Sequence, residues 1–177
     1  MSAAAAIDVV IDSLAFATGG QELKGRVPLA DMLRLRDTLS DTGGEVSYVV
    51  RGGKDALDRP MLSLEVEALL HLQCQRCLER LDFPLRFSSH LLLVPEGGTE
   101  PEDVEDPEGP DWIEGSPELG VNALVEDEML LAVPLAPRHP EGMCVAREPG
   151  MADREGGTSG SKGNAFAALA ALKDKSS

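Results

Sequence analysis

Cys74 and Cys77 stand in the pattern C-Q-R-C, and His139 and Cys144 stand in R-H-P-E-G-M-C. A C-x-x-C pair brings two thiolates close enough to share one borderline-soft divalent cation, with the intervening backbone amides free to donate to the sulfurs. One such pair is half of a tetrahedral set. His139 and Cys144 could supply the other half. The four residues between them are at the upper end of ligand spacing, and Pro140 and Gly142 suit the loop this needs. Zinc is the ion that a set of Cys74, Cys77, His139 and Cys144 would take. Two other readings compete with it. A redox couple fits poorly, because a thioredoxin-type C-x-x-C opens a helix after a strand, and here the motif joins two apparent strands. A plain tight turn that happens to carry sulfur fits the spacing as well as a metal set does.

Glu126, Asp127 and Glu128 form the other cluster able to do chemistry, as metal ligands or acid–base groups. On consecutive helical positions, however, their side chains fan out by roughly 100° each instead of converging. They therefore read as a solvated acidic helix face that meets a protein partner. There is no G-x-S-x-G, no phosphate-cradling glycine loop and no H-E-x-x-H. His71 and His90 fall on the polar phases of their segments and are expected to be solvated.

The elements that must position these residues follow from periodicity. From Met61 to Cys74 the even positions Leu62, Leu64, Val66, Ala68, Leu70 and Leu72 are apolar, and the odd ones from Ser63 onward are polar except Leu69. This period of two predicts a long strand with one buried face. Leu81, Phe83, Leu85 and Phe87 resume it beyond the cysteines, so an antiparallel hairpin is predicted with C-Q-R-C at its tip, lifted clear of the globule. Ala5–Asp12 reads as a first strand, Pro28–Ser40 as a short amphipathic helix, and "EVSYVVRGG" as a strand entering a Gly-Gly turn. Val121–Pro137 suits a helix stopped by Pro134. The expected class is α+β: an antiparallel sheet with a few flanking helices.

Residues 1–148 read as one such domain, interrupted by a mobile acidic loop at 95–118. A polar linker follows at 149–163, then a C-terminal helix at 164–173 that Asn164 can cap. A chain of 177 residues can bury a core without metal or disulfides. The net charge of −15 is concentrated: 13 of the 31 acidic residues lie between Phe87 and Pro137, where there is no Lys or Arg, and the remaining 18 nearly balance 16 basic ones. The long-range field repels phosphate, so RNA would have to meet a local basic face or come through a partner. No membrane anchor or export signal is read, and the three cysteines suit a reducing compartment, so the expected location is cytoplasmic.

In combination, "CQRC" after an alternating strand, "VEDEMLLAVPLAPRH" with a Cys shortly beyond, and a terminal "NAFAALAALK" resemble the YceD family of large ribosomal RNA subunit accumulation proteins. The resemblance runs from about Glu45 onward. It departs at Ala165, where the family usually has Pro, the residue best suited to a first helical position. The resemblance implies a non-enzymatic ribosome biogenesis factor promoting accumulation and processing of 23S rRNA. Its expected partners are precursor large-subunit RNA, a basic large-subunit ribosomal protein, or both, with no membrane and no small-molecule substrate. Arg76 and Arg80 are then the candidates for phosphate contacts, because a guanidinium matches a phosphate and a hairpin tip can enter an RNA groove. Glu126, Asp127 and Glu128 are the candidates for the basic protein. The competing reading is a metal-dependent RNA-processing enzyme using that same acidic cluster.

Overall fold

The structure is a computed structural model that describes residues 8–98 and 111–144. They belong to one compact unit, Met1–Cys144, and Val145–Ser177 forms a second unit outside the described residues. The 149–163 linker, the 164–173 helix and the centre of the acidic loop, 99–110, therefore lie outside the described residues.

The period-two reading is realised over its full length. Strands β4 (Pro60–Gln73) and β5 (Arg80–Val94) pair antiparallel from Met61↔Leu92 to Gln73↔Arg80. Strands β2 (Glu22–Pro28) and β3 (Glu45–Lys54) extend this hairpin, and β6 (Asp111–Glu114) completes a five-stranded sheet in the order β2-β3-β4-β5-β6. Directly opposed residues share a face, so Val46, Val50, Leu64, Val66 and Leu70 form one fully buried layer. The opposite face carries charges such as Arg51, Glu65, Glu67 and Arg86, as a half-solvated antiparallel sheet should. Helices α1 (Ser13–Thr18) and α2 (Val121–Ala132) join the sheet's apolar face in a single α+β core, while β1 (Val10–Ile11) and β7 (Leu119–Gly120) form a small second sheet.

Four local expectations are corrected. Pro28–Ser40 is not an α-helix but two 3-10 turns, Leu29–Asp31 and Leu35–Thr38. Its buried residues Leu29, Met32 and Leu35 recur every third position, the 3-10 spacing, and the amides of Arg34 and Leu35 bond to Glu126 instead of closing helical turns. Gly52 and Gly53 lie inside β3 rather than in a turn. A side chain at Gly52 would put its Cβ 2.3 Å from the Phe16 carbonyl oxygen, so the glycine is there to let α1 approach the strand; the turn itself falls at Asp55–Arg59. Residues 111–114, expected in the acidic loop, form a strand parallel to β5, with Ile113 packed against the core. Of the first expected strand, Ala5–Asp12, only Val10–Ile11 is strand among the described residues, and Asp12 instead caps α1 by accepting from the Ala15 amide.

Candidate metal centre

The turn between β4 and β5 is a knuckle. The Leu78 amide donates to the Cys74 carbonyl at 2.9 Å and the Cys74 amide to the Glu79 carbonyl at 2.9 Å, folding C-Q-R-C back on itself. Leu78 closes the bend with φ of +63°, a left-handed conformation that L-residues adopt at a cost. The hairpin end is not lifted clear of the globule. The stretch after α2 returns over it, and the Gln75 amide donates to the Pro137 carbonyl at 2.8 Å. A second tight bend follows, where the Met143 amide reaches the Pro140 carbonyl and Gly142 takes φ of +82°.

These two bends converge four soft donors. Cys74 is fully buried, Cys77 nearly so, and His139 and Cys144 are half-buried. Together with Leu81 the sulfurs form a small cluster of their own, apart from the main core. Cys74 Sγ lies 3.7 Å from Cys144 Sγ, Cys77 Sγ lies 3.4 Å from His139 Nδ1, and Cys144 Sγ lies 3.9 Å from the same nitrogen. All four donor atoms fall within 4.8 Å of one another. With Zn–S near 2.3 Å and Zn–N near 2.0–2.1 Å, a regular tetrahedron has S···S edges of about 3.8 Å and S···N edges of about 3.5 Å. The Cys74–Cys144 and Cys77–His139 edges match those lengths and the Cys144–His139 edge is longer, whereas a disulfide would need about 2.05 Å. The four residues named from spacing alone are thus brought together as a group that could hold a metal ion.

The surroundings fit a bound cation as well. The outer nitrogen of His139, Nε2, lies 3.0 Å from the Arg80 carbonyl; donating there leaves Nδ1 as the lone-pair donor facing the sulfurs. Burial alone would raise the Cys74 thiol, but the amides of Cys77, His139 and Arg76 outweigh it and push the thiol down to about 5. Cys77 moves up instead, since burial and its hydrogen bonds to the Cys74 and Cys144 sulfurs overcome the Glu79 amide that would lower it. Arg76 Nε donates to Cys144 Sγ at 3.0 Å, and the sulfur raises the guanidinium's affinity for its proton.

The other singled-out residues are placed differently. Arg80 is exposed, with Nε on Asp82 at 2.9 Å, Nη1 3.5 Å from Asp41, and Nη2 beside His71. His71 is therefore not simply solvated: its ring is mostly covered and Nδ1 lies 2.9 Å from Asp82. His90 is exposed and meets the Ser63 hydroxyl at 3.0 Å. On α2 the acidic face is largely internal. Glu126 is buried and accepts from the amides of Arg34 at 2.6 Å and Leu35 at 3.0 Å and from Arg34 Nε at 3.1 Å. Burial would raise this carboxyl, yet those three donors hold it below its usual range. Asp127 is exposed but takes Arg34 Nη1, and Glu128 is buried. Arg34, which organises this corner, was not visible to sequence reasoning, because its partner lies 92 residues away.

No helix among the described residues is long and apolar enough to cross a membrane. No solved structure matches this chain. A family model described as large ribosomal RNA subunit accumulation protein YceD matches residues 62–173. That stretch holds both limbs of the sulfur hairpin, α2 and all four candidate ligands, and it covers more than half of the sequence: the chain belongs to the YceD family of large ribosomal RNA subunit accumulation proteins.

Proposed function

We propose that this protein is a non-enzymatic, zinc-stapled ribosome biogenesis factor that acts in the cytoplasm and promotes accumulation of large-subunit ribosomal RNA by binding its precursor. The observation that carries the reading is the convergence of four ligands from both halves of the family match onto one hairpin end. Cys74, Cys77, His139 and Cys144 would hold the ion, and a bound zinc supplies a cross-link between the knuckle and the stretch after α2. With all four positions taken by protein, the site is of the closed, structural kind and leaves no coordination position for substrate or water. Glu126 and Asp127, for their part, are engaged by Arg34 and Glu128 is buried, which favours a fold-supporting role over metal catalysis or recognition of a basic protein. Arg76 stands at the stapled end with no carboxylate partner, where its charge can meet phosphate despite the acidic whole, while Arg80 beside it is held by Asp82 and Asp41.

Deleting the gene in its host tests the function. Large-subunit rRNA should fall relative to small-subunit rRNA and be restored by the wild-type chain but not by Cys74→Ser or Cys144→Ser. An unchanged ratio defeats the proposal. Elemental analysis should find one zinc per wild-type chain, and its absence would remove the staple. Incubating purified protein with labelled precursor and magnesium should give binding without cleavage; cleavage lost in Asp127→Ala would instead favour the enzyme.

A further inference from the structure

Three sulfurs gathered at one point can give up two electrons and form a bond, and which pair does so depends on access and on room to move. Cys144 is half-buried, whereas Cys74 is fully buried and Cys77 nearly so, so an oxidant arriving from solvent meets Cys144 first. Arg76 reinforces this order. Its Nε donates to Cys144 Sγ at 3.0 Å, and its two NH2 groups make no hydrogen bond, which places a cation and spare donors beside the one sulfur that solvent reaches. A partly exposed thiol next to a guanidinium is the environment in which cysteines react.

Distance selects the second sulfur. Cys74 Sγ lies 3.7 Å from Cys144 Sγ, and closing that gap to a disulfide takes a movement of about 1.7 Å. The 140–144 bend has room to make it, since a side chain at Gly142 would meet open space and Met143 is exposed. Cys74 stays in place, covered on all sides and with its amide on the Glu79 carbonyl. A bond between Cys74 and Cys77 would instead have to form inside the knuckle, between two buried sulfurs, with Cys77 Sγ turned to His139 Nδ1 at 3.4 Å.

We infer that Cys144 is a site of oxidation by hydrogen peroxide and Cys74 its resolving partner, so that oxidation joins residues 74 and 144 and releases the metal. This rests on the zinc reading above. In the first step the Cys144 sulfur attacks one peroxide oxygen, the O–O bond breaks, the sulfur becomes a sulfenic acid, and the other oxygen leaves as hydroxide. Arg76 is placed to donate to that departing oxygen. In the second step the Cys74 sulfur attacks the Cys144 sulfur, the S–S bond forms, the S–O bond breaks, and a second hydroxide leaves. Two thiolates, one hydrogen peroxide and two protons thus give one disulfide and two waters, with two electrons passing from sulfur to oxygen. Cys77 and His139 remain, two ligands where a structural zinc site takes four, and the ion is lost. The new bond spans the same two bends as the zinc, so the stretch after α2 stays tethered to the hairpin end when the metal has gone.

The test is titration of the zinc-loaded full chain with hydrogen peroxide, read by a chromogenic zinc chelator and by mass spectrometry of tryptic peptides after thiol alkylation. Trypsin cuts after Arg76, so Cys74 and Cys77 fall on different peptides and the two possible bonds are told apart. Zinc should appear in step with the loss of two of the three thiols, the Cys74 and Cys144 peptides should be cross-linked, and Cys77 should remain alkylatable. Dithiothreitol and added zinc should restore the starting state. Cys77→Ser, which keeps both reacting sulfurs, should still form the bond, and in Cys144→Ser the two remaining thiols should outlast those of the wild type at the same dose. A Cys74–Cys77 bond in the wild type, Cys144 oxidised beyond sulfenic acid with Cys74 still free, or zinc retained with all three thiols intact overturns the inference. Each of these outcomes leaves the zinc reading standing; that reading falls separately, if the reduced wild-type chain holds no zinc before peroxide is added.

Discussion

At the scale of single residues, Arg76 and Leu78 show how one turn can carry two constraints. Three thiolates, a neutral imidazole and a divalent ion leave one net negative charge, and Arg76 Nε sits 3.0 Å from the sulfur best placed to share it. Replacing Arg76 with Ala should weaken zinc affinity, measured against a competing chelator, by about 10–100-fold, the usual range for an outer-shell partner, and Arg80→Ala should not, because only the backbone carbonyl of Arg80 touches His139. Leu78 presents the opposite case, an exposed side chain on a left-handed backbone. Leu78→Gly should raise stability by about 1 kcal/mol in thermal melts, and Leu78→Val, branched at Cβ, should lower it. A melt in which Gly is no better than Leu would show that the bend carries no strain.

Between elements, the contact of α2 with the two 3-10 turns depends on a single carboxylate. Two backbone amides of the 33–36 bend have no other partner than Glu126, so Glu126→Ala leaves them orphaned. Denaturant melts should show a loss of about 1–3 kcal/mol. The same carboxyl sets an acid dependence. Its folded value lies below the ordinary 4.5, so the unfolded chain binds the proton more readily. Its contribution is complete above 4.5 and disappears as pH falls through the lower folded value, and Glu126→Ala should flatten that acid limb. The sheet has a comparable point of dependence at Gly52, where even Gly52→Ala must push α1 away from β3. A loss of about 1–3 kcal/mol is expected there, against little change at Gly53, where a Cβ meets open space.

For the molecule as a whole, the two apolar clusters divide the work. The main core spans the sheet, both helices and the 3-10 turns without touching the sulfur cluster, so metal removal should leave far-ultraviolet dichroism nearly unchanged. What should open is the stapled stretch. Limited trypsin digestion ought to cut after Arg138 readily in chelated protein and slowly in the zinc-loaded form, and equal rates would show that the stretch holds without metal. Charge separates on the same scale. The acid-rich stretch between Phe87 and Pro137 gives the molecule most of its negative sum, while the remaining 18 acidic and 16 basic residues nearly balance.

The sequence by itself determined the β4–β5 hairpin, its buried face, helix α2 and the four residues that converge, because period-two and period-3.6 patterns and ligand spacing are local properties written along the chain. Only the tertiary structure decided that Pro28–Ser40 breaks into 3-10 turns, that Gly52 continues a strand, that "DWIE" pairs with β5, and that Glu126 faces inward to Arg34. Each of those outcomes turns on a partner tens of residues away, whose approach outweighs local preference, and periodicity holds no record of such distances.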